Sequence, residues 1–428
     1  MSRLNRRRFV QATSLAAINP LARSVLGAND KIVIGLIGAG GMGRANLADF
    51  RKEPDVEVAA VCDVNQENLS RAVAMTGGRA SSYGDFRRVL ERKDIDAVIV
   101  ATPDHWHALP TIYACQAGKD VYVEKPLALC IEEQQRMVRT ARETKRVVQV
   151  GTQQRSGKHF QRAVEWIRAG KIGGVTFART WNYDNSFPKG IGNPPDAQPP
   201  STLDWDFWLG PAPKVPYNPN RADRTFRWCW DYSGGKLTDW GAHLIDIVHW
   251  ALNVDGPIAV TATGGKFLLK DNRETPDTLE VVYQYPGFLL NFSYRECNAR
   301  GIEGNDYGIE FHGTQGSLFL DRSGFEVFPE YDREGNEYTA RMPSLRVGGS
   351  EQHQAHVRNF LDCVRSRALP NSDIETGHKA TVAPHLGNIA FRTGQKVEWD
   401  PVAERLVRPT PEQEALFSRQ YRKPWALP

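Results

Sequence analysis

Several features that would place a sequence in a specialised class are missing from these 428 residues. The six cysteines show neither a Cys-x-x-Cys pair nor a metal-like spacing, so we expect free, mostly buried thiols. No apolar run is long enough to span a bilayer, and no internal repeat or low-complexity tract is present. What remains is an ordinary soluble composition, 41% hydrophobic and 24% charged, with a length that predicts two domains.

A surplus of positive charge is also missing once the first residues are set aside. The formal net charge is +4, but residues 1–28 contain five arginines and no acidic residue. The remainder has 49 basic residues against 50 acidic ones, a net charge of −1. This balance gives no electrostatic reason to expect binding to nucleic acid or to an anionic membrane.

The arginine-rich beginning of the chain resembles a twin-arginine export signal. Arg6 and Arg7 supply the pair, Phe9 follows at the expected offset, and a weakly apolar stretch extends to Ala22. We therefore expect residues 1–28 to be a signal segment that is read by the twin-arginine export machinery, and the protein to be periplasmic. A disordered basic tail is the alternative interpretation.

Residues 31–151 alternate between short apolar runs and helix-like stretches. The runs suited to buried strands are 31–37, 56–62, 96–101, 121–123 and 147–150, and the helix-like stretches are 42–51, 66–75, 85–92, 107–117 and 131–144. This alternation with short connections predicts an α/β domain of the Rossmann type, a doubly wound parallel sheet.

Beyond Gly151 the pattern changes. Helical stretches at 159–169, 234–252, 352–367 and 376–393 accompany strand-like runs at 175–183, 258–267, 279–285, 288–294, 307–312, 317–320 and 326–328. A loop rich in proline and tryptophan occupies 186–231. We predict that residues 152–400 form an α+β domain with a large open, mostly antiparallel sheet, for substrate binding and oligomerisation, followed by a tail over 401–428. Because an open sheet face needs covering, we expect a homodimer or homotetramer.

The most informative local motif lies between the first strand and the first helix. It is the G-x-G-x-x-G sequence of Gly38, Gly40, Gly41, Met42 and Gly43. In this context the glycines allow a tight turn and close approach of a pyrophosphate to the helix N-terminus. Asp63, at the end of the second strand, suits the ribose hydroxyls of NAD(H) and would repel the 2′-phosphate of NADP. A glycine-rich turn without a ligand is the alternative.

Three further segments resemble the Gfo/Idh/MocA family, which includes glucose–fructose oxidoreductase and inositol dehydrogenase. They read A-T-P-D-H-W-H over 101–107, V-Y-V-E-K-P-L over 121–127 and G-G-K-L-T-D-W-G-A-H-L-I-D over 234–246. The resemblance covers essentially all of residues 31–400. It implies a substrate that lies between the two domains, and hydride transfer between a sugar-like hydroxyl and NAD.

The resemblance also implies roles for individual residues. Lys125 would hydrogen-bond the reacting hydroxyl, His243 would move its proton, and Asp239 would support His243. The cofactor would be lined by a further set of residues, namely Thr102, Pro103, His105, His107, Glu124 and Lys125. Lys236 stands where the family commonly has a small residue, so it either contacts an anionic substituent or is solvated.

The residues support this chemistry on their own terms. Histidine titrates nearest neutrality and is the natural base for a hydroxyl proton, while a lysine stabilises developing oxyanion charge. Asp239 and His243 are four residues apart, so on one helix they share a face, with Asp246 three residues further on. A solvated surface ion pair is the alternative.

Other residues carry less information. Arg155 follows the last Rossmann strand at the edge where ligands bind, and is a candidate substrate contact. His105 and His107 line the cofactor cleft or merely begin a helix. Eight of the eleven tryptophans lie between Trp166 and Trp250, and one or two of them are candidates to stack on a sugar. No residues have metal-ligand spacing.

Export would constrain the mechanism, because no pool of free NAD is expected outside the cytoplasm. We therefore predict an NAD-dependent oxidoreductase of a sugar, cyclitol or glycoside whose cofactor is held tightly and recycled within the site. Two alternatives remain. One is a redox-neutral NAD-dependent glycosidase or lyase that works by oxidation, elimination and reduction, and the other is a non-catalytic NAD-bearing binding protein.

Overall fold

The computed structural model describes residues 31–428. The predicted signal segment, including Arg6 and Arg7, lies outside the described residues. Within the described part of the chain, no helix is both long and apolar enough to cross a membrane. The six cysteines are free thiols, five of them buried and Cys297 half-buried.

Strands and helices alternate strictly in the N-terminal half. The elements are β1 Ile32–Ile37, α1 Gly41–Phe50, β2 Val56–Cys62, α2 Gln66–Met75, β3 Ser81–Tyr83, α3 Phe86–Leu90, β4 Ala97–Val100, α4 Ala108–Gln116, β5 Asp120–Val123, α5 Ile131–Glu143 and β6 Val148–Val150. The six strands form one parallel sheet in the order β3-β2-β1-β4-β5-β6. The predicted Rossmann-type sheet is confirmed.

The second half contains a larger sheet. Its elements are α6 Lys158–Arg168, β7 Val175–Tyr183, α7 Trp205–Leu209, α8 Gly235–Asp239, α9 Gly241–Leu252, β8 Ala259–Gly265, β9 Thr278–Tyr285, β10 Phe288–Arg295, β11 Tyr307–Gly313, β12 Gly316–Asp321, β13 Gly324–Pro329, β14 Tyr331–Glu334, β15 Glu337–Ala340, β16 Leu345–Gly348, α10 His353–Ser366, α11 Ile374–Thr393, β17 Val397–Asp400, β18 Arg405–Leu406 and α12 Pro411–Phe417. Ten strands form the sheet in the order β16-β13-β12-β11-β7-β10-β9-β8-β17-β18. Only the β7–β10 pair is parallel among these described strands, which confirms the mostly antiparallel prediction.

The large sheet buries one face under helices and leaves part of the other exposed. Leu290 and Phe292 of β10 are buried in the core that α6, α9 and α11 cover. On the opposite face, Val282 and Leu289 are each more than a third exposed. Strand residues alternate between the two faces because successive side chains point to opposite sides.

The predicted helix over 234–252 is wrong in one respect, because two helices occupy this range. The backbone carbonyl of Asp239 accepts from Lys125 Nζ at 3.1 Å. The N–H of His243 donates to Trp240 instead, at 3.0 Å, so the hydrogen-bond ladder is interrupted between α8 and α9. Asp239 and His243 therefore do not share the face of one continuous helix.

The chain after α11 is more ordered than a tail. It adds β18 and α12, and its last residues return to the N-terminal sheet, where the Trp425 ring lies 4.8 Å from that of Trp106. Helix α10 also packs on that sheet, with Phe360 against Phe50 at 6.0 Å between ring centroids. Helix α10 and the last residues of the chain, both from the C-terminal half, thus cover the smaller sheet.

Candidate active site

The turn between β1 and α1 requires glycine at two positions. Gly38 has φ of +90°, and a Cβ there would lie 2.6 Å from the backbone of Ala101. A Cβ on Gly43 would lie 1.9 Å from the carbonyl oxygen of Gly38. Nothing lies within 4 Å of a Cβ built on Gly40, so the turn is open on that side. Helix α1 begins at Gly41, where the first N–H groups of a helix are available to an anion.

Asp63 follows β2 and supports this turn. Its carboxylate accepts hydrogen bonds from the backbone N–H of Ala39 at 2.6 Å and of Asn65 at 2.8 Å. Burial raises the pKa of the Asp63 carboxyl, and the two N–H donors oppose that shift. Arg44 donates to the carbonyl of Ala39 at 2.6 Å, while Met42 in the same helix is 40% exposed. Each Asp63 oxygen retains a lone pair that can accept a hydrogen bond from a ribose hydroxyl. The contact itself stays a prediction.

The loop after β4 contributes a buried hydroxyl without a partner. Thr102 Oγ1 has no hydrogen bond within residues 31–428, and the Thr102 backbone N lies 2.7 Å from the position of a Cβ on Gly38. Pro103 precedes the short 3₁₀ turn that begins at Asp104. An open turn at a helix N-terminus beside an orphaned hydroxyl fits the pyrophosphate and ribose of NAD.

Lys125 and Asp239 join the two halves of the molecule. Lys125 follows β5 and Asp239 ends α8, and Lys125 Nζ lies 2.5 Å from Asp239 Oδ1. Arg227 Nε approaches the same oxygen at 3.4 Å. Burial alone would raise the pKa of Asp239, but Lys125 and Arg227 bring it well below its usual range. Asp239 is thus an ionised carboxylate that holds Lys125 in place.

His243 lies in the first turn of α9, buried but without a hydrogen-bond partner on its ring. Its Nδ1 has none within the described residues, and no bond joins the ring to Asp239. The Asp239 carboxylate binds Lys125 instead, so the predicted support of His243 by Asp239 stays a prediction. Burial holds the pKa of His243 well below 6.5, and the charges of Lys125 and Arg322 lower it further, while Asp239 opposes them. The imidazole is neutral at pH 7 and can accept a proton.

The two predicted cleft histidines have different surroundings. His105 is buried, its Nε2 lies 3.0 Å from the carbonyl of Trp208, and burial lowers its pKa to about 3. Its ring packs against those of Trp208 and Tyr232 at 5.1 Å. His107 lies between two carbonyl oxygens, with Nδ1 2.7 Å from Pro126 and Nε2 2.9 Å from Thr102. His107 therefore links the loop of Thr102 to the loop of Lys125.

Three other predicted residues already have partners. Arg155 binds Asp246 through Nε and Nη2 at 2.7–2.9 Å, so Asp246 serves Arg155 rather than His243. Lys236 Nζ lies 3.6 Å from Asp184 and 3.8 Å from Glu296, so it is not a solvated lysine. The substrate contacts predicted for Arg155 and Lys236 stay predictions.

Glu124, the remaining predicted cofactor residue, is buried between two elements. Its Oε1 accepts from Asn46 Nδ2 of α1 at 2.9 Å. A Cβ on Gly151, after β6, would lie 2.9 Å from the carboxylate. Glu124 therefore fixes α1 to the strand ends that carry Lys125.

Sequence reasoning missed two arginines. Arg227 comes from the 186–231 loop and contacts Asp239, and Arg322 comes from the turn between β12 and β13, where its guanidinium lies 5.2 Å from the Trp240 ring. Neither belongs to a motif, and Arg322 is far from the other site residues in sequence. No group of three or more His, Cys, Asp or Glu side chains suited to a metal occurs among residues 31–428.

Comparisons with known proteins agree with this architecture. A family model described as "Oxidoreductase family, NAD-binding Rossmann fold" matches residues 32–152, and its companion "Oxidoreductase family, C-terminal alpha/beta domain" matches residues 165–305. Together they cover more than half of the chain.

Curated relatives and solved structures extend the comparison. The scyllo-inositol 2-dehydrogenase (NAD(+)) of Bacillus subtilis is 26% identical over 320 residues, 74% of this chain and 81% of that protein. A glycosyl hydrolase family 109 protein of Shewanella baltica is 33% identical over 177 residues, and the match spans only 38% of each chain. The crystal structure of an aldose-aldose oxidoreductase from Caulobacter crescentus, complexed with glycerol, superposes with a TM-score of 0.64 at 20% identity, covering 86% of this chain and 99% of that one. This last likeness concerns the fold alone.

The first family model matches the domain that contains the glycine turn, and the second matches the part of the chain that follows it. The ion pair between Lys125 and Asp239 joins these two parts. The chain belongs to the Gfo/Idh/MocA family of NAD-binding oxidoreductases.

Proposed function

We propose that this protein is an NAD-dependent oxidoreductase that acts on a hydroxyl group of a sugar, cyclitol or glycoside, with His243 as the base. The observation that carries the proposal is the ion pair between Lys125 and Asp239, which brings Lys125 close to His243 beside the open glycine turn. The relative named as a scyllo-inositol dehydrogenase, which matches most of the chain, supports a cyclitol or sugar substrate.

Oxidation of a carbinol group removes a hydride and a proton, and the cofactor and the side chains take separate parts in these two transfers. Bound NAD supplies the acceptor for the hydride. Neutral His243 accepts the hydroxyl proton, since its unpaired ring nitrogen is free of protein partners. Lys125 Nζ stabilises the negative charge that develops on the same oxygen, and Asp239 holds Lys125 in position for this.

We further propose that the cofactor is held tightly and recycled within the site. Arg224, from the 186–231 loop, supports this idea, because its Nη2 would lie 3.8 Å from a Cβ on Gly41 at the start of α1. A guanidinium close to the start of α1 is suited to bind a pyrophosphate there. With the helix N-terminus and this guanidinium both bound to the pyrophosphate, NAD would dissociate slowly.

The test uses natively purified full-length protein without added NAD. Native mass spectrometry should detect bound NAD, and a substrate sugar should produce the near-ultraviolet absorbance of reduced nicotinamide in one turnover. A second, carbonyl-bearing sugar should then remove that absorbance. Protein that is free of cofactor and turns over only with external NAD would contradict the recycling proposal.

A redox-neutral glycosidase is the second candidate, and the local 33% identity to glycosyl hydrolase family 109 proteins favours considering it. In this mechanism a transient ketone acidifies the neighbouring C–H, and a glycosidic group leaves. Release of p-nitrophenol from p-nitrophenyl glycosides by the NAD-loaded protein, without lasting reduction of the cofactor, would identify this activity. A protein that binds sugars but shows neither reaction would be the non-catalytic alternative.

Location and assembly complete the proposal. The Arg6-Arg7 pair supports export by the twin-arginine pathway to the periplasm, and substituting both by lysine should retain the protein in the cytoplasm. The exposed face of the large sheet, with Val282 and Leu289, supports a homodimer or homotetramer. Native mass spectrometry reports signal cleavage and subunit number in one experiment.

A further inference from the structure

Arg322 is a cation at the edge of the candidate active site that has no anionic partner. It lies in the turn after β12, and its guanidinium makes no hydrogen bond or ion pair with the described side chains. Its Nε is shut off from solvent, so that donor cannot be satisfied by bulk water. A half-buried arginine in this state is costly unless something else binds it.

The neighbouring acids are all engaged elsewhere. Asp321, the preceding residue, turns its carboxylate to the backbone N–H groups of Ser323 and Gly324, at 2.7 and 3.1 Å. Asp239 is the one carboxylate whose charge reaches Arg322 among the described residues, and it is already bound by Lys125 at 2.5 Å. Arg322 therefore remains an uncompensated positive charge.

Arg322 lies against an aromatic ring that is itself close to His243. Its guanidinium lies 5.2 Å from the Trp240 ring, a cation–π contact. The Trp240 ring in turn lies 6.4 Å from that of His243, and the charge of Arg322 reaches His243. The planar fork of an arginine matches the two oxygens of a carboxylate or sulfate.

The other cations near the reacting position are better compensated. Lys236, the residue first considered for an anionic substituent, has Asp184 and Glu296 within 4 Å. Arg227 shares Asp239 with Lys125. An anionic group on the substrate would therefore gain most at Arg322.

We propose that the substrate is an anionic sugar or cyclitol, whose carboxylate or sulfate substituent binds Arg322 while its reacting hydroxyl lies between Lys125 and His243. This inference rests on the proposed function for the position of the hydroxyl. It specifies, in addition, that the substrate is anionic and that Arg322 selects for this charge.

The experiment compares matched sets of sugars on the NAD-loaded full-length protein. Each set contains a neutral hexose, its uronic acid and its sulfate ester, with glucose, galactose and mannose as the parent sugars. Dissociation constants are measured by calorimetry, and reduced-nicotinamide absorbance is recorded in parallel. In at least one set, an anionic member should bind about tenfold or more tightly than the neutral one, as expected for a charge-assisted bidentate pair.

Substitutions assign the preference to Arg322. R322Q should abolish it, R322K should retain part of it, and R346Q, which removes an exposed arginine from β16 of the same sheet, should leave it unchanged. The bound NAD content checks that R322Q is folded. The proposal is overturned if no anionic sugar binds better than its neutral parent, or if R322Q keeps the preference.

The two readouts separate the inference from the proposed function. A carboxylate or sulfate preference that R322Q removes, without any reduced cofactor, would contradict the proposed oxidoreductase and support the Arg322 site. Reduction of the cofactor by neutral and anionic sugars alike would support the oxidoreductase and overturn the Arg322 site.

Discussion

His243 differs from the other buried histidines because no protein group bonds its ring. His249, two turns later on α9, donates or accepts at 2.6 Å with the hydroxyl of Tyr285, and His385 lies 3.0 Å from the carbonyl of Ala128. A buried polar nitrogen without a partner is rare in folded proteins unless a ligand supplies the missing contact. At the scale of the residue, a ring with neither nitrogen bonded within the described part of the chain supports the proposal that His243 contacts the substrate.

The pKa of His243 predicts the pH dependence of the reaction. Because burial, Lys125 and Arg322 lower this pKa well below 6.5, the imidazole is neutral and active at pH 7 and is lost as a base only when it protonates at lower pH. We expect kcat/KM to be flat through neutrality, with its acidic limb below pH 6.5. D239N should move the limb to still lower pH, since Asp239 raises the pKa of His243. A limb above pH 6.5 would contradict the assignment.

Removing the base should affect the chemical step more than folding. H243A is expected to reduce kcat by about 10²–10⁴-fold, the usual contribution of a general base. H249A is the matched control on the same helix, since it deletes a buried histidine that bonds Tyr285. Single-turnover reduction of the bound cofactor measures the step. Equal losses in the two variants would indicate a structural role for His243.

At the scale of elements, the last residues of the chain act as a clasp across the N-terminal domain. Arg419 Nη2 lies 2.6 Å from Glu133 of α5 and also donates to the carbonyl of His105 at 2.6 Å. The hydroxyl of Tyr421 donates to Glu133 at 2.5 Å. Glu133 is fully buried, and the backbone N–H of Leu129 also donates to its carboxylate, at 3.1 Å. The clasp thereby holds the loop that carries Thr102 and His105.

Breaking the clasp should destabilise the protein. R419A leaves the buried carboxylate of Glu133 without its cationic partner, a change that costs about 3–5 kcal/mol in comparable buried pairs. R408A is the control, because Arg408 pairs with Glu398 on the surface and should leave the unfolding midpoint unchanged. Denaturant unfolding of both variants checks the difference. Equal midpoints would show that the clasp contributes nothing to stability.

Elements with a strong local pattern were predictable, and those that depend on neighbours were not. Strand β2 and helix α2 have the predicted bounds because apolar runs and helical periodicity are local properties. Strand β3 was missed because its three residues are polar and partly exposed, and it exists only by pairing with β2. The break between α8 and α9 was missed because it depends on a contact with Lys125.

At the scale of the whole molecule, the glycine turn of the candidate cofactor site has a neighbour from the second half of the chain. The glycine turn belongs to the N-terminal sheet, but Arg224 approaches it from the loop between β7 and α8. This placement supports the proposal that the second domain helps to retain the cofactor.

Retention of the cofactor can be measured through Arg224. R224A should weaken NAD binding roughly ten- to hundredfold, as expected for the loss of about 1.5–3 kcal/mol in a hydrogen bond to a charged group. K214A, which removes an exposed lysine from the same loop, is the control. The fraction of protein that keeps NAD after prolonged dialysis, measured by mass spectrometry, tests this. Equal retention in both variants would remove Arg224 from the binding site.

The sequence by itself determined the Rossmann sheet and the large second sheet, because these depend on apolar periodicity. Its short motifs, and the family resemblance that they carry, made Lys125, Asp239 and His243 the candidate site residues. The tertiary structure decided how those residues are paired. Asp239 binds Lys125 and not His243, Asp246 binds Arg155, and Arg322 enters the site from a distant turn. The pairing of these charges depends on how the two sheets and their helices pack against each other. The spacing of residues along the chain contains no information about that packing.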